Sequence, residues 1–482
     1  MAEDVVLLAP KGSGIRARSA DTPRTSAFDL GVSGLNEAYR LRRHSPVEVV
    51  SEAVALARMA RDELGAFVTI AEAQALDAAS VLERKIENGE DTGPLSGIPV
   101  TVKDNIATAG IRTTFGSSAF ASHIPDTDAE CIRRLRRAGA IIIGKTATPE
   151  FACRQTTSSS VSGVARNPWN RELTPGGSSG GSSAATAAGA GMVSIVTDGG
   201  GSARLPAACT GLVGFKPTFG QIPFDSAADA FAGLAHIGLI GRRVQDVRLV
   251  FEHLRGRHPT DPYSLCSKLA SPSQSVSQTR IGWRLRLAQE PIDAEVEEAC
   301  QQAVRILKND GAAVVELSDP VEAPLPVWRV LQHTIWASRF GRNDKLMANI
   351  DDVIAAGVSH AASLSAIDLQ DALYARTRLF RSVQGWFADC DFVLSPTLTR
   401  PAVAADHPGF GPIDVAGLAA GDIREAWAPQ LGLLTMTGHP CLTLNCGWTS
   451  TGLPIGLHVS ARWQADDALL GFAELVGRRL GA

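Results

Sequence analysis

The 482-residue chain has no Cys-x-x-Cys pair, no run of eighteen apolar residues and no marked surplus of either charge. Each absence removes a class of protein. Its eight cysteines (Cys131, Cys153, Cys209, Cys266, Cys300, Cys390, Cys441 and Cys446) are scattered, which argues against a zinc knuckle. A chain long enough for a full core has no need of a disulfide framework, so buried free thiols in a reducing compartment are expected. The missing apolar run predicts no membrane-spanning helix. Val5-Val6-Leu7-Leu8 is too short, and follows acidic residues, to be the apolar part of a signal peptide, so a cytoplasmic location is expected. Lys plus Arg number 46 and Asp plus Glu 50, a net charge of −4, so neither nucleic acid nor a membrane surface is an expected partner. Arg133-Arg134 and Arg136-Arg137 fall on one predicted helix and read as a solvated face. The histidines do not cluster by spacing and no ligand constellation is visible, so neither a metal nor a cofactor is expected.

What the chain does contain is ordinary globular material, 45% hydrophobic and 20% charged. Residues 1–30 are polar and aperiodic and read as a loose N-terminal arm, with residues 31–482 as one domain. Ser45-Pro46-Val47-Glu48 combines a capping box with proline at the first helical position, opening a helix to about Leu64. Pro99 to Val102 reads as a short strand ending at Lys103. Asp126 or Thr127 is the expected cap of a helix stopped by Gly139, and Ala140 to Ile143 a buried strand. A small-residue helix is predicted from Ser182 to Ala190, and a strand from Met192 to Thr197 ending at Asp198. In the second half, strands are expected at 281–285, 313–317, 392–394, 442–444 and 453–459, and helices at 293–310 and 467–480. Ser271 to Thr279 reads as a surface loop. Strands alternating with helices predict an α/β fold, a mixed and largely parallel central sheet with helices on both faces.

Three glycine motifs compete for the chemistry. Gly139 to Thr146 matches the P-loop spacing, with Gly144-Lys145-Thr146 at its end. Its intervening residues, Ala-Ile-Ile-Ile, form a strand rather than a phosphate cradle, so nucleotide binding is the minor reading. Gly176-Gly177-Ser178-Ser179-Gly180 contains the G-x-S-x-G nucleophile elbow, but a proline-broken segment precedes it where an elbow needs a strand. Asp198-Gly199-Gly200-Gly201-Ser202-Ala203-Arg204 does follow a strand. Consecutive glycines there can turn their N–H groups into an anion nest, which suits the oxyanion of an acyl-transfer intermediate with a serine beside it.

Taken together with Gly97-Ile98-Pro99-Val100-Thr101-Val102-Lys103-Asp104-Asn105 and Gly211-Leu212-Val213-Gly214-Phe215-Lys216-Pro217, these motifs resemble the amidase signature family. The likeness runs from about residue 30 to the C-terminus and is weakest between about 220 and 430. It implies Ser202 as nucleophile, Ser178 as bridging serine after a cis Gly177–Ser178 bond, and Lys103 as base. The oxyanion donors would be the N–H groups of Gly199, Gly200, Gly201 and Ser202. Asp198 and Arg204 would hold the loop rather than perform chemistry. Cys209-Thr210 and His458 depart from the usual pattern without touching the triad. The resemblance implies hydrolysis of a small carboxylic amide through an acyl-enzyme, with no cofactor. A homodimer stays open. The readings weighed against this one are the glutaminase component of a glutamyl-tRNA(Gln) amidotransferase, which would need partner proteins, and a nucleotide-binding protein using Gly144-Lys145-Thr146. Trp328, Trp336, Phe340 and Trp427, in the weakly matching middle, are the candidates for an apolar or aromatic acyl pocket.

Overall fold

A computed structural model describes residues 27–481 except Asp91, Ala232 and 265–274. Eleven strands form one mixed sheet. They are β1 (Phe67–Ile70), β2 (Pro99–Lys103), β3 (Ile141–Thr146), β4 (Val193–Asp198), β5 (Val213–Lys216), β6 (His236–Gly241), β7 (Arg280–Trp283), β8 (Ala313–Glu316), β9 (Phe392–Pro396), β10 (Cys441–Trp448) and β11 (Pro454–Ala461). Their order is β1-β3-β2-β4-β6-β5-β10-β11-β9-β7-β8. Two parallel runs, β3-β2-β4 and β9-β7-β8, flank an antiparallel middle from β4 through β11 to β9.

The parallel run positions the site. β2, β3 and β4 are buried at every residue, as strands covered on both faces are, including the polar Thr101, Lys103, Lys145, Thr146, Ser194, Thr197 and Asp198 among their apolar residues. Helices Glu130–Arg137 and Gly180–Ala187 supply the crossovers. Register pairs Val102 with Ile195 and Lys103 with Thr146, so Lys103, Thr146, Thr197 and Asp198 all arrive at the carboxyl edge of the run. In open α/β sheets, that edge is where ligands bind.

Neighbouring residues show the two faces. A methyl added to Gly214 of β5 would strike Ala207 of helix Arg204–Thr210 and Ala203, its N-cap, while the next residue, Phe215, meets Phe251 of helix Val244–Leu254 edge-on at 5.1 Å. Successive strand residues point to opposite faces, so these helices lie on opposite sides of the sheet. Helix Asp466–Leu480 joins the Phe251 side of the molecule by packing on Val244–Leu254, and Phe472 stacks on Phe392 of β9 with centroids 4.1 Å apart.

Several expectations shift. Ala27–Leu30 belongs to the packed fold as a 3-10 turn with Ala27 and Phe28 buried, so any loose arm ends earlier; residues 1–26 lie outside the described ones. The helix expected from Asp126 or Thr127 begins at Glu130, because its first N–H is capped by Asp225, ninety-five residues away. Ser45 accepts from the Glu48 N–H as a cap should, but its own hydroxyl donates to Glu83. Of the loop expected over 271–279, residues 271–274 lie outside the described ones and Val276–Gln278 is a 3-10 turn with Val276 buried. Among the described residues no helix is long and apolar enough to cross a membrane.

The P-loop reading fails here. Gly139 turns the chain at φ +91°, but Ile141–Thr146 is a core strand and not a loop. Lys145 is fully buried. Its Nζ donates to the Ile106 carbonyl and, at 3.0 Å each, to Thr108 and Thr113 Oγ1. A lysine with its donors spent inside the sheet has none to offer a phosphate.

Candidate active site

Three side chains from separate stretches of sequence line up at the edge of β2 and β4. Lys103, the last residue of β2, is fully buried and places Nζ 2.7 Å from Ser178 Oγ. Ser178 Oγ lies 3.0 Å from Ser202 Oγ. Ser178 is fully buried, whereas Ser202 is half-exposed. The Gly177–Ser178 bond is cis. Thr197 Oγ1 lies 3.2 Å from Lys103 Nζ and accepts a 2.9 Å hydrogen bond from Asn105 Nδ2.

The lysine is the electrostatic centre of the group. Burial pushes its pKa from 10.5 down to about 7, against the opposing pull of the Asp198 carboxylate. It can therefore be neutral near neutral pH and accept a proton. Ser178 has no histidine or aspartate partner among the described residues, so the elbow reading lacks its base.

Asp198 organises the glycine loop from beneath. Its Oδ1 accepts from the Gly201 N–H at 2.7 Å and its Oδ2 from the Ala203 N–H at 3.2 Å. Arg204 grips the same carboxylate with Nε and Nη2, each at 3.0 Å, both residues being wholly buried. Arg204 continues to the Leu431 carbonyl and Thr435 Oγ1 through Nη2, and Nη1 donates to His458 Nε2 at 3.1 Å. An arginine only donates, so His458 presents its unprotonated nitrogen. Burial and then the Arg204 charge hold that imidazole well below its usual pKa. Burial alone would raise Asp198, but the Arg204 charge and hydrogen bonds outweigh it and keep the carboxyl well below the ordinary range. Asp198 and Arg204 thus form a wholly buried ion pair bonded to two N–H groups of the loop.

The four amides expected at an oxyanion divide. Gly201 is buried at φ +111°, with Leu431 only 2.8 Å from where a Cβ would stand, and its N–H points inward to Asp198. Gly199, Gly200 and Ser202 are half-exposed, and their N–H groups meet no acceptor among the described residues. Gly201 therefore departs from the sequence expectation, because the strand-end carboxylate claims its amide first. Trp328, from helix Pro324–Phe340, closes the loop from outside by donating Nε1 to the Gly199 carbonyl at 2.9 Å. The sequence places Trp328 only loosely in an acyl pocket, since nothing local links it to a loop 129 residues away. Trp336 packs edge-on to Trp328 and Phe340 tilts against Phe151 at 4.5 Å. Trp427 instead is buried in a separate cluster with Leu205, Val403 and Val415, its Nε1 on the Arg400 carbonyl, and reads as packing. No group of three or more His, Cys, Asp or Glu among the described residues gathers as a metal set would.

The family described as Amidase matches residues 48–470. The glutamyl-tRNA(Gln) amidotransferase of Carboxydothermus hydrogenoformans has an A component that is 33% identical over 80% of this chain and 86% of its own. An acylamidase of Rhodococcus erythropolis is 31% identical over 88% and 90%. The crystal structure of a bacterial aryl acylamidase of the amidase signature enzymes superposes with a TM-score of 0.87 at 28% identity, covering 94% of this chain and 96% of that one. The chain belongs to the amidase family, whose signature enzymes are hydrolases acting on carbon–nitrogen bonds.

Proposed function

We propose that this amidase hydrolyses small linear carboxylic amides through an acyl-enzyme on Ser202, relayed by Ser178 to Lys103. The observation that carries the reading is the unbroken path of 2.7 Å and 3.0 Å from a buried lysine able to be neutral to a half-exposed serine. A serine hydroxyl is a weak nucleophile until a base takes its proton. Ser202 Oγ attacks the amide carbon while its proton passes to Ser178 Oγ and the Ser178 proton passes to Lys103 Nζ. The oxyanion is received by the amides of Gly199, Gly200 and Ser202, where a preset donor costs no reorganisation. Lys103 returns its proton through Ser178 to the leaving nitrogen, which departs as the amine. Water then repeats the sequence on the ester, releasing the acid and freeing Ser202.

A fluorophosphonate tests the assignment. The adduct is expected on the Ser202 peptide, absent in Ser202→Ala, and slower to form in Ser178→Ala. A label on Ser178 that survives Ser202→Ala would overturn it. The amidotransferase relatives favour a second reading, in which glutamine is the amide and a partner receives the ammonia. Turnover of simple anilides by the isolated chain, without glutaminase activity, decides against that second reading.

A further inference from the structure

We propose that Arg424 forms a carboxylate subsite beside the glycine loop, so that the preferred amides carry an anionic group; this rests on the amide-hydrolase reading. Arg424 Cζ lies 4.4 Å from the centre of the Trp328 ring, the same indole that holds the Gly199 carbonyl. A guanidinium has five N–H donors. Among the described residues this one spends a single hydrogen bond, Nη2 to the Cys153 carbonyl at 2.8 Å, and pairs with no carboxylate. The nearby acids are already engaged. Asp422 accepts from the backbone N–H of Arg424 with Oδ1 and of Gly411 with Oδ2, and Asp351 pairs with Arg154 at 2.6 Å.

Imidazoles and one further arginine surround it. His333 meets Trp328 edge-on at 6.3 Å and contacts His360 Nδ1 at 3.0 Å. Burial first, then His360 and the charges of Arg424 and Arg329, hold the His333 pKa down to about 4, so its ring is neutral, and Arg329 is the cation that bears on Arg424. Burial pushes the half-buried Arg424 guanidinium down further than Cys153 and Asp422 pull it up, so its charge is only partly offset by its neighbours. A stacked, forked guanidinium with free donors matches a carboxylate bidentately.

The test compares kcat/KM on two pairs of substrates. One is glutaric acid monoanilide against pentananilide, with the carboxylate on the acyl side; the other is hippurate against N-methylbenzamide, with it on the amine side. Wild-type enzyme is expected to prefer the charged member of one pair, and Arg424→Gln to lower that preference by roughly 10- to 100-fold, chiefly through KM, as loss of charge-assisted hydrogen bonds implies. Arg424→Lys should restore part of it. No preference in either pair, or an equal fall on charged and neutral members, would overturn the subsite and leave Arg424 as a support for Trp328. If no amide in either pair turns over, the hydrolase reading is what fails. The subsite is then judged by calorimetry of glutarate, which should bind wild type and not Arg424→Gln.

Discussion

Replacing Lys103 by methionine should make the protein more stable while removing its catalysis, and the gap should shrink as pH rises. The lysine is fully buried, and burial brings its pKa from 10.5 to about 7. The unfolded chain therefore holds a proton that the folded one sheds between those values, and folding pays for it. At 1.36 kcal/mol per pH unit, the full penalty at or below pH 7 is on the order of 5 kcal/mol. Methionine keeps much of the stem volume and carries no charge. It forfeits the contacts to Ser178 and Thr197, worth about 1 kcal/mol each, the attraction to Asp198 being already contained in the shift. The net gain should be roughly 1–3 kcal/mol at pH 7. The folded pKa lies below the unfolded one for a cation, so wild-type stability from this residue rises with pH between about 7 and 10.5. Lys145 and Lys216, each lowered to about 8 by burial, slope the same way in both proteins and cancel in the comparison. Urea unfolding of both proteins at pH 7 and pH 9.5 measures the gap, and turnover should fall by about 10²–10⁴. A variant no more stable than wild type, or a gap independent of pH, would refute the account of Lys103 as a desolvated base.

In the wild-type enzyme, kcat/KM should rise about tenfold between pH 6 and pH 8 and then level off, since a base of pKa about 7 is about one-tenth neutral at the first and nine-tenths at the second. A profile that climbs only near pH 10 would mean a lysine in contact with water. Asp198→Asn should cost about 3–5 kcal/mol in thermal or urea unfolding, because it strands the buried Arg204 charge; a loss under about 1 kcal/mol would show that His458 and Thr435 suffice. Trp328→Phe removes the donor to the Gly199 carbonyl and should lower kcat about fivefold, near 1 kcal/mol, with the fold intact by circular dichroism.

The parts of the site legible in the sequence are those fixed by local pattern. Lys103 and Asp198 are readable as strand ends because apolar runs stop there, and Ser202 because a strand and three glycines precede it. The strand His236–Gly241 is not, although it sits between β4 and β5; two glycines and six residues give no period to detect. The inward turn of the Gly201 amide, the Asp225 cap and the seat of Trp328 on Gly199 all depend on partners more than a hundred, or close to a hundred, residues away or on a side-chain rotamer. Lys145 shows the converse. Its motif matches letter for letter, and only the buried threonines around it reveal that the match has no chemistry.

The clamp on Asp198 bears on when the enzyme first becomes competent as it is made. Arg204 and Asp198 leave the ribosome early, yet Thr435, the Leu431 carbonyl and His458, which complete their hydrogen bonds, come more than two hundred residues later. Strand β5 finds its neighbour β10 only then as well. Until those last segments emerge, Arg204 has no full set of acceptors and the glycine loop no floor. An unfinished or prematurely stopped chain would carry all three residues of the Lys103–Ser178–Ser202 path and still lack the frame that aligns them. Such a fragment is expected to show no labelling of Ser202 by a fluorophosphonate, where the full chain reacts.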